Sequence, residues 1–193
     1  MKCLLFVVLS FFYLSQNVMA EAKNDVETML ECSLDAVISV LEQNDFSTHE
    51  KKEKVDEIVS SLFDFPQMAK LSLGKRHWLR LSKEEKQRFT ELFVKRIKTS
   101  YCDKLTLYTN EKVVYEETIQ AKRKIRISTY LISKDNKISI LYKFFEKQGK
   151  WKIYDLEIQG VSVIQTYRTQ FNQILESGSI EDLLSKLEEP VNS

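Results

Sequence analysis

Glycine and proline are scarce in this chain, at four and two residues among 193. So few breakers leave no linker, low-complexity tract or internal repeat, and they predict one continuous domain. Neither a phosphate-binding glycine loop nor a GxSxG elbow nor an HExxH helix occurs. Histidine is limited to two residues. His49 lies among Glu50, Lys51, Lys52 and Glu53, the pattern of a solvated helix, and His77 lies between Arg76 and Trp78, where a structural role outweighs that of a catalytic base. An excess of charge of either sign is also missing. The formal net charge is +1, and without residues 1–20, which hold Lys2 and no acid, 28 basic residues face 28 acidic ones. That balance argues against a nucleic-acid binder, whose affinity needs clustered cations to neutralise phosphates.

No apolar run reaches the roughly 20 residues that a bilayer core requires. The longest candidate, Leu4–Leu14, has Lys2 before it and Ser15, Gln16 and Asn17 after it, and Val18-Met19-Ala20 offers a small-residue exit. This is the three-part layout of a secretory signal, so cleavage after Ala20 is expected. The expected product, residues 21–193, is a single soluble domain without stable membrane insertion. Cys3 is too early to carry a lipid anchor. Cys32 and Cys102 would survive processing, either as one disulfide or as two thiols. Two Cys and two His without a closely spaced pair give no expectation of a metal site.

Periodicity orders the rest. Val26, Met29, Leu30, Leu34, Val37 and Leu41 predict an amphipathic helix over 25–44. Ser47 and Glu50 have capping-box spacing and open a second helix through Val55, Ile58, Val59 and Leu62. Asp64 and Pro66 start a short third helix that Gly74 stops, with a further turn at Trp78 and Leu79. A second capping box, Ser82–Glu85, begins a helix to about Leu105 whose face is Phe89, Leu92, Phe93, Ile97 and Tyr101. Alternation then predicts four strands, about 112–119, 124–133, 137–146 and 150–159, with tight turns at Asp135-Asn136 and Gln148-Gly149. Trp151 and Ile153 share one parity, Leu156 and Ile158 the other, so a bulge near Tyr154-Asp155 is expected. Ser162 opens a helix with the stripe Ile164, Tyr167, Arg168, Phe171, Ile174 and Leu175, and Ser179 opens a last one through Leu183, Leu184 and Leu187. The fold class is α+β: N-terminal helices, a four-stranded antiparallel sheet, then C-terminal helices.

Two residues stand out chemically. Arg168 falls inside an apolar stripe, where it must snorkel, pair with a carboxylate or meet an anionic ligand. Asp155 is an acid on an apolar, aromatic strand. It is either a partner for a cation, with Arg168 as the expected one, or a general base in a pocket. Bulky residues on both faces of several strands imply two covered faces or one deep cavity.

The motifs Asp64-Phe65-Pro66-Gln67-Met68-Ala69, Leu73-Gly74-Lys75-Arg76-His77-Trp78 and Gln87-Arg88-Phe89-Thr90-Glu91-Leu92-Phe93 resemble a block of the MlaC, or toluene-tolerance, family. A second block is Trp151-Lys152-Ile153-Tyr154-Asp155-Leu156, Gly160-Val161-Ser162 and Tyr167-Arg168-Thr169-Gln170-Phe171. Together, in order and spacing, they extend the resemblance over about residues 25–187. The chain departs from the pattern at Lys83, where the family commonly has Pro, and over 106–135, which match only as alternating strands. The resemblance implies a periplasmic phospholipid carrier that needs no cofactor. It implies two partners, an outer-membrane lipoprotein–porin complex and an inner-membrane ABC transporter complex, and acyl chains held between sheet and helices. Phe93, Ile97, Tyr142, Phe144, Leu156 and Ile158 are expected to line that cavity because their phases point inward. The wider lipid-binding set adds Tyr101, Ile140, Tyr154, Val161, Ile164, Tyr167, Arg168 and Phe171. Two other readings stay open: a pocket isomerase or hydrolase using Asp155, and a ligand-free adaptor with a filled core.

Overall fold

The computed structural model describes the backbone of residues 2–102, 112–133 and 136–190, with side chains for 21–101, 112–132 and 136–190. Helix α1 is Lys2–Glu42, and the amphipathic stretch expected over 25–44 forms its C-terminal half. Val26 and Leu30 on its apolar face are fully buried. Helix α2 is Thr48–Leu62, and its capping box is formed: the Ser47 amide donates to Glu50 at 2.8 Å and the Glu50 amide donates to Ser47 Oγ at 3.3 Å. Helix α3, Phe65–Leu73, is capped by Asp64 and closed by Gly74, whose φ of +80° suits a residue without a Cβ. Then follow α4, Lys75–Trp78, and α5, Lys83–Ile97, which the Ser82–Glu85 box opens.

The chain does not continue to Leu105 as an α-helix. It widens into a π turn over Lys98–Cys102, and residues 103–105 lie outside the described residues. Such turns insert an extra residue and re-aim the side chains beyond it.

Five strands form one antiparallel sheet in sequence order: β1 Lys112–Ala121, β2 Lys124–Ser133, β3 Asn136–Lys147, β4 Lys150–Ile158 and β5 Val161–Ser162. The fifth strand departs from the expected four. It pairs Ser162 with Glu157 and Val161 with Ile158 across a hairpin whose turn residues, Gln159 and Gly160, have φ of 51° and 77°. Two residues are too few to leave a period in the sequence. Gln148-Gly149 makes the expected turn, with both φ values positive, whereas the turn at Asp135-Asn136 falls partly outside the described residues. The expected bulge is present: Lys143 faces Asp155 and Phe144 faces Ile153, so Tyr154 is the extra residue.

After the sheet come α6, Val163–Ser177, and α7, Ile180–Glu188. Two apolar clusters result. One joins α3, α5, α6 and α7 through Phe89, Phe93, Tyr167, Phe171 and Leu183. The other joins α1 and α2 to the inner face of the sheet through Val26, Leu30, Ile125, Ile127, Phe144 and Ile153. The outer face of the sheet keeps its aromatics half-buried. Phe145 meets Tyr154 edge-on at 5.7 Å, and the Lys124 and Lys137 ammoniums lie over the rings of Tyr154 and Tyr130. The bulky residues on both strand faces therefore reflect a cavity on one side and lysine-covered aromatics on the other.

Candidate functional site: an apolar cavity under the sheet

Between the two clusters lies a cavity of about 390 Å³. Helix α1 contributes Leu30, Ser33, Leu34, Val37, Ile38 and Leu41. Val59, Leu62, Phe63, Phe65 and Met68 of α2, α3 and their junction form a second wall, with Ile97, Ser100 and Tyr101 beside them. The sheet supplies Val113, Thr129, Leu131, Ile138, Ile140, Tyr142, Ile153, Leu156 and Ile158, and Val163 completes the lining. None of these side chains is charged.

The cavity has a closed end and an open one. Leu30 and Ile153 are 0% exposed and Met68 is 1% exposed, so they form a floor. Ile38, Leu41, Val113, Leu131, Ile138 and Ile158 are half-buried and mark the opposite end. The floor is fastened to β4 at the α2–α3 junction, where the Asp64 amide donates to the Ile153 carbonyl at 2.9 Å and Phe63 bridges Ile153. Asp64 itself is 8% exposed, accepts from the Gln67 amide at 3.0 Å and pairs with Lys147 at 2.8 Å.

Both serines of the lining have partners. Ser33 Oγ donates to the Met29 carbonyl at 2.7 Å, and Ser100 Oγ accepts from the Tyr167 hydroxyl at 3.4 Å. Burial pushes the Tyr142 hydroxyl up to about 12, partly offset by its hydrogen bond with Thr129. Tyr142 is therefore neutral near pH 7, and no side chain of the lining carries a charge there.

Of the residues expected to bind lipid, Ile97, Tyr101, Ile140, Tyr142, Leu156 and Ile158 line the cavity. Eight do not, and each has a physical reason. Phe93 stacks within the helical core, 5.4 Å from Tyr167 and 6.3 Å from Phe171, and Ile164 is buried in the same cluster. Phe144 packs beyond the floor in the sheet-side cluster. Tyr154 is the bulged residue and faces outward onto Phe145, and Val161 is 60% exposed on β5. Arg168 lies against the end of α3, where its Nε donates to the Leu71 carbonyl at 3.0 Å and Nη2 shares the same acceptor. This satisfies a carbonyl that the helix end leaves open and sets a cation at its negative pole.

Arg168 accordingly does not pair with Asp155, contrary to expectation. The cation on Asp155 is Lys143, at 3.0 Å, and Lys143 also pairs with Glu157. Burial would lower the Lys143 pKa, but the hydrogen bonds to Glu157 and Asp155 outweigh it and hold the ammonium above its ordinary range. Asp155 further accepts from Ser162 Oγ at 2.8 Å and from the Ile164 amide at 3.2 Å, so it anchors the start of α6. It is not part of the cavity lining, which removes the geometric basis for a pocket general base.

The lining residues that sequence reasoning missed come chiefly from α1 and from the α2–α3 junction. Leu30, Leu34, Val37 and Leu41 were legible as an apolar stripe, but a stripe facing a void has the same period as one facing a packed core. Cys32 is an exposed free thiol, and the Cys102 side chain lies outside the described residues. Among the described residues no cluster of His, Cys, Asp and Glu could hold a metal ion, and no helix is long and apolar enough to cross a membrane.

Residues 31–189 match the MlaC protein family. The intermembrane phospholipid transport system binding protein MlaC of Haemophilus influenzae is 28% identical over 114 residues. The match covers 56% of this chain and 53% of that protein, so the chain spans about half the length of that relative. A solved structure of a phospholipid-binding protein from Ralstonia solanacearum, in complex with a phospholipid, shares the fold with a TM-score of 0.75. It is 20% identical, and the superposition covers 83% of this chain and 93% of that one.

Proposed function

The chain belongs to the MlaC family, and from that premise we propose that it is a phospholipid-binding carrier whose acyl portion occupies the cavity between α1, α2, α3 and the sheet. One observation carries the reading: a cavity of about 390 Å³ with no charged side chain in its lining and a half-buried open end. An unfilled apolar cavity of that size forfeits contacts along its whole wall, and an apolar occupant restores them. Transfer of each methylene out of water gains about 0.8 kcal/mol. Release into bare solvent is then negligible, so the carrier needs a docked donor and a docked acceptor.

The family resemblance supplies candidates for both. On this reading the protein is exported with cleavage after Ala20, works in the periplasm, and shuttles lipid between an outer-membrane lipoprotein–porin complex and an inner-membrane ABC transporter complex. It is not an enzyme on this reading: the Asp155 carboxylate is committed to Lys143, Ser162 and the Ile164 amide.

Organic extraction of the purified protein followed by mass spectrometry tests the binding. Phospholipid is expected in the extract of the wild type and is expected to fall in Ile140→Trp, which fills the cavity from β3. Overpacking costs about 1–3 kcal/mol, so the variant is first checked by melting. A wild-type extract without lipid, or a folded variant with undiminished lipid, overturns the reading.

A further inference from the structure

Between Asp64 and Glu84 the chain holds Lys70, Lys75, Arg76, Arg80 and Lys83 and no acidic residue. In a chain whose charges otherwise balance, this is a local excess of one sign. The fold does not disperse it. α4 and the turn after it set Arg76 and Arg80 around one imidazole, and both help to lower the His77 pKa. Like charges one helical turn apart repel. No contact within the described residues offsets that repulsion, since Lys75, Arg76 and Arg80 form no ion pair or side-chain hydrogen bond there.

The same stretch leaves an apolar side chain in water. Trp78 meets Phe89 edge-on at 6.4 Å and Leu81 is buried, but Leu79 between them is 68% exposed, more than Val161, Ile119 or Tyr115. The segment is fixed rather than loose: the Lys86 ammonium lies over the Trp78 ring and donates to the Leu81 carbonyl at 2.7 Å. The Leu79 amide donates to the Lys75 carbonyl at 3.2 Å, so Leu79 follows Lys75 and Arg76 by one turn on the same face.

Beside α4 runs a groove shared with the end of α3 and with α6. Leu73 and Leu175 give it an apolar part, Lys75, Arg76 and Arg168 its cations, and Glu176 its one acid. Arg168 is already oriented by its bonds to the Leu71 carbonyl. None of the residues lining this groove lines the apolar cavity under the sheet.

We propose that this groove, with Leu79 at its side, is a docking surface for a partner protein, and that the segment it takes is acidic, with carboxylates flanking an apolar side chain. Guanidinium groups pair with carboxylates through two parallel hydrogen bonds, and clustered arginines are a recurring way to hold acidic segments. A bilayer surface fits less well, because an interfacial anchor needs a face of several apolar side chains and only Leu79 is offered here. The proposal goes beyond the carrier reading and stands whether or not the cavity holds lipid.

The test titrates the exported, 15N-labelled protein with the acetylated, amidated pentapeptide Glu-Glu-Leu-Glu-Glu and follows backbone amide shifts by NMR. Shifts are expected at positions 74–80 and 168–176, with affinity falling at least tenfold between about 20 and about 200 mM NaCl. Arg76→Gln combined with Arg80→Gln is expected to lower affinity at least tenfold without lowering the melting temperature, and Leu79→Ser to lower it several-fold. No shifts at millimolar peptide overturn the proposal. So do shifts centred instead on the basic outer face of the sheet around Lys124, Arg126 and Lys137, or an affinity that neither variant changes. Cosedimentation with phosphatidylglycerol vesicles that is lost in the double-arginine variant, without peptide binding to wild type, overturns it in favour of a membrane surface.

Discussion

Replacing Asp155 by Ala isolates what the buried carboxylate does. Asp155 is 5% exposed and receives three hydrogen bonds, from Lys143, Ser162 Oγ and the Ile164 amide. Lys143 keeps Glu157 as a partner, so its charge is not stranded. The full cost of about 3–5 kcal/mol for an orphaned buried ion therefore does not apply. The buried Ile164 amide donates to Asp155, and a buried donor left open costs about 1–3 kcal/mol. The weakened Lys143 pair and the released Ser162 hydroxyl add to that, for a total of about 3 kcal/mol. In a domain of this size that corresponds to a fall in melting temperature of about 6–12 °C. Thermal denaturation of delipidated protein reads it directly. Asp155→Asn keeps a carbonyl acceptor for the Ile164 amide and is expected to fall between wild type and Asp155→Ala. Arg168→Ala, which opens the Leu71 carbonyl, is expected to destabilise independently. Because the two side chains share no partner, the double variant is additive to within about 0.5 kcal/mol. A melting temperature for Asp155→Ala within 2 °C of wild type refutes the anchoring role, and a coupling energy well above that limit between positions 155 and 168 refutes the separate placement of the two networks.

Phe93→Ala is expected to cost about 3–5 kcal/mol by opening a hole among Phe89, Tyr167 and Phe171. Lipid content per folded molecule is unchanged by it, whereas Ile97→Trp, in the lining, lowers lipid content. His77 has its pKa lowered by burial and then by Arg76 and Arg80, so the unfolded chain binds its proton more readily than the folded one. Stability that His77 lends above about pH 6.5 is then lost as pH falls from there toward its folded value. His77→Gln is expected to flatten that part of a melting-temperature profile between pH 7.5 and 5, and parallel profiles for wild type and variant contradict it.

Local signals carried most of the element order. The boxes at Ser47–Glu50 and Ser82–Glu85 are legible because a cap is made by residues three apart, with no tertiary help. The bulge at Tyr154 was legible because an extra residue inverts the strand parity on either side of it. The same inversion hid the fate of Tyr154 and Asp155, since parity names two faces but not which of them meets the cavity. β5 was too short to have a period, and the π turn over Lys98–Cys102 follows from no pattern that differs from an α-helix by more than one residue. Arg168 was recognisable as an exception on its stripe, but its partner is the Leu71 carbonyl, a backbone atom 97 residues away that any sequence at position 71 would present. Phe93 and Ile97 lie one helical turn apart on the same face of α5. The first is enclosed by the rings of Phe89, Tyr167 and Phe171, whereas the second belongs to the same cluster but also borders the cavity. Apolar patterning thus determined which surfaces leave water. Which of those surfaces touch one another, and which stand apart to leave room for a ligand, was decided by how α1 and α2 pack over the sheet while the α2–α3 junction is fastened to β4.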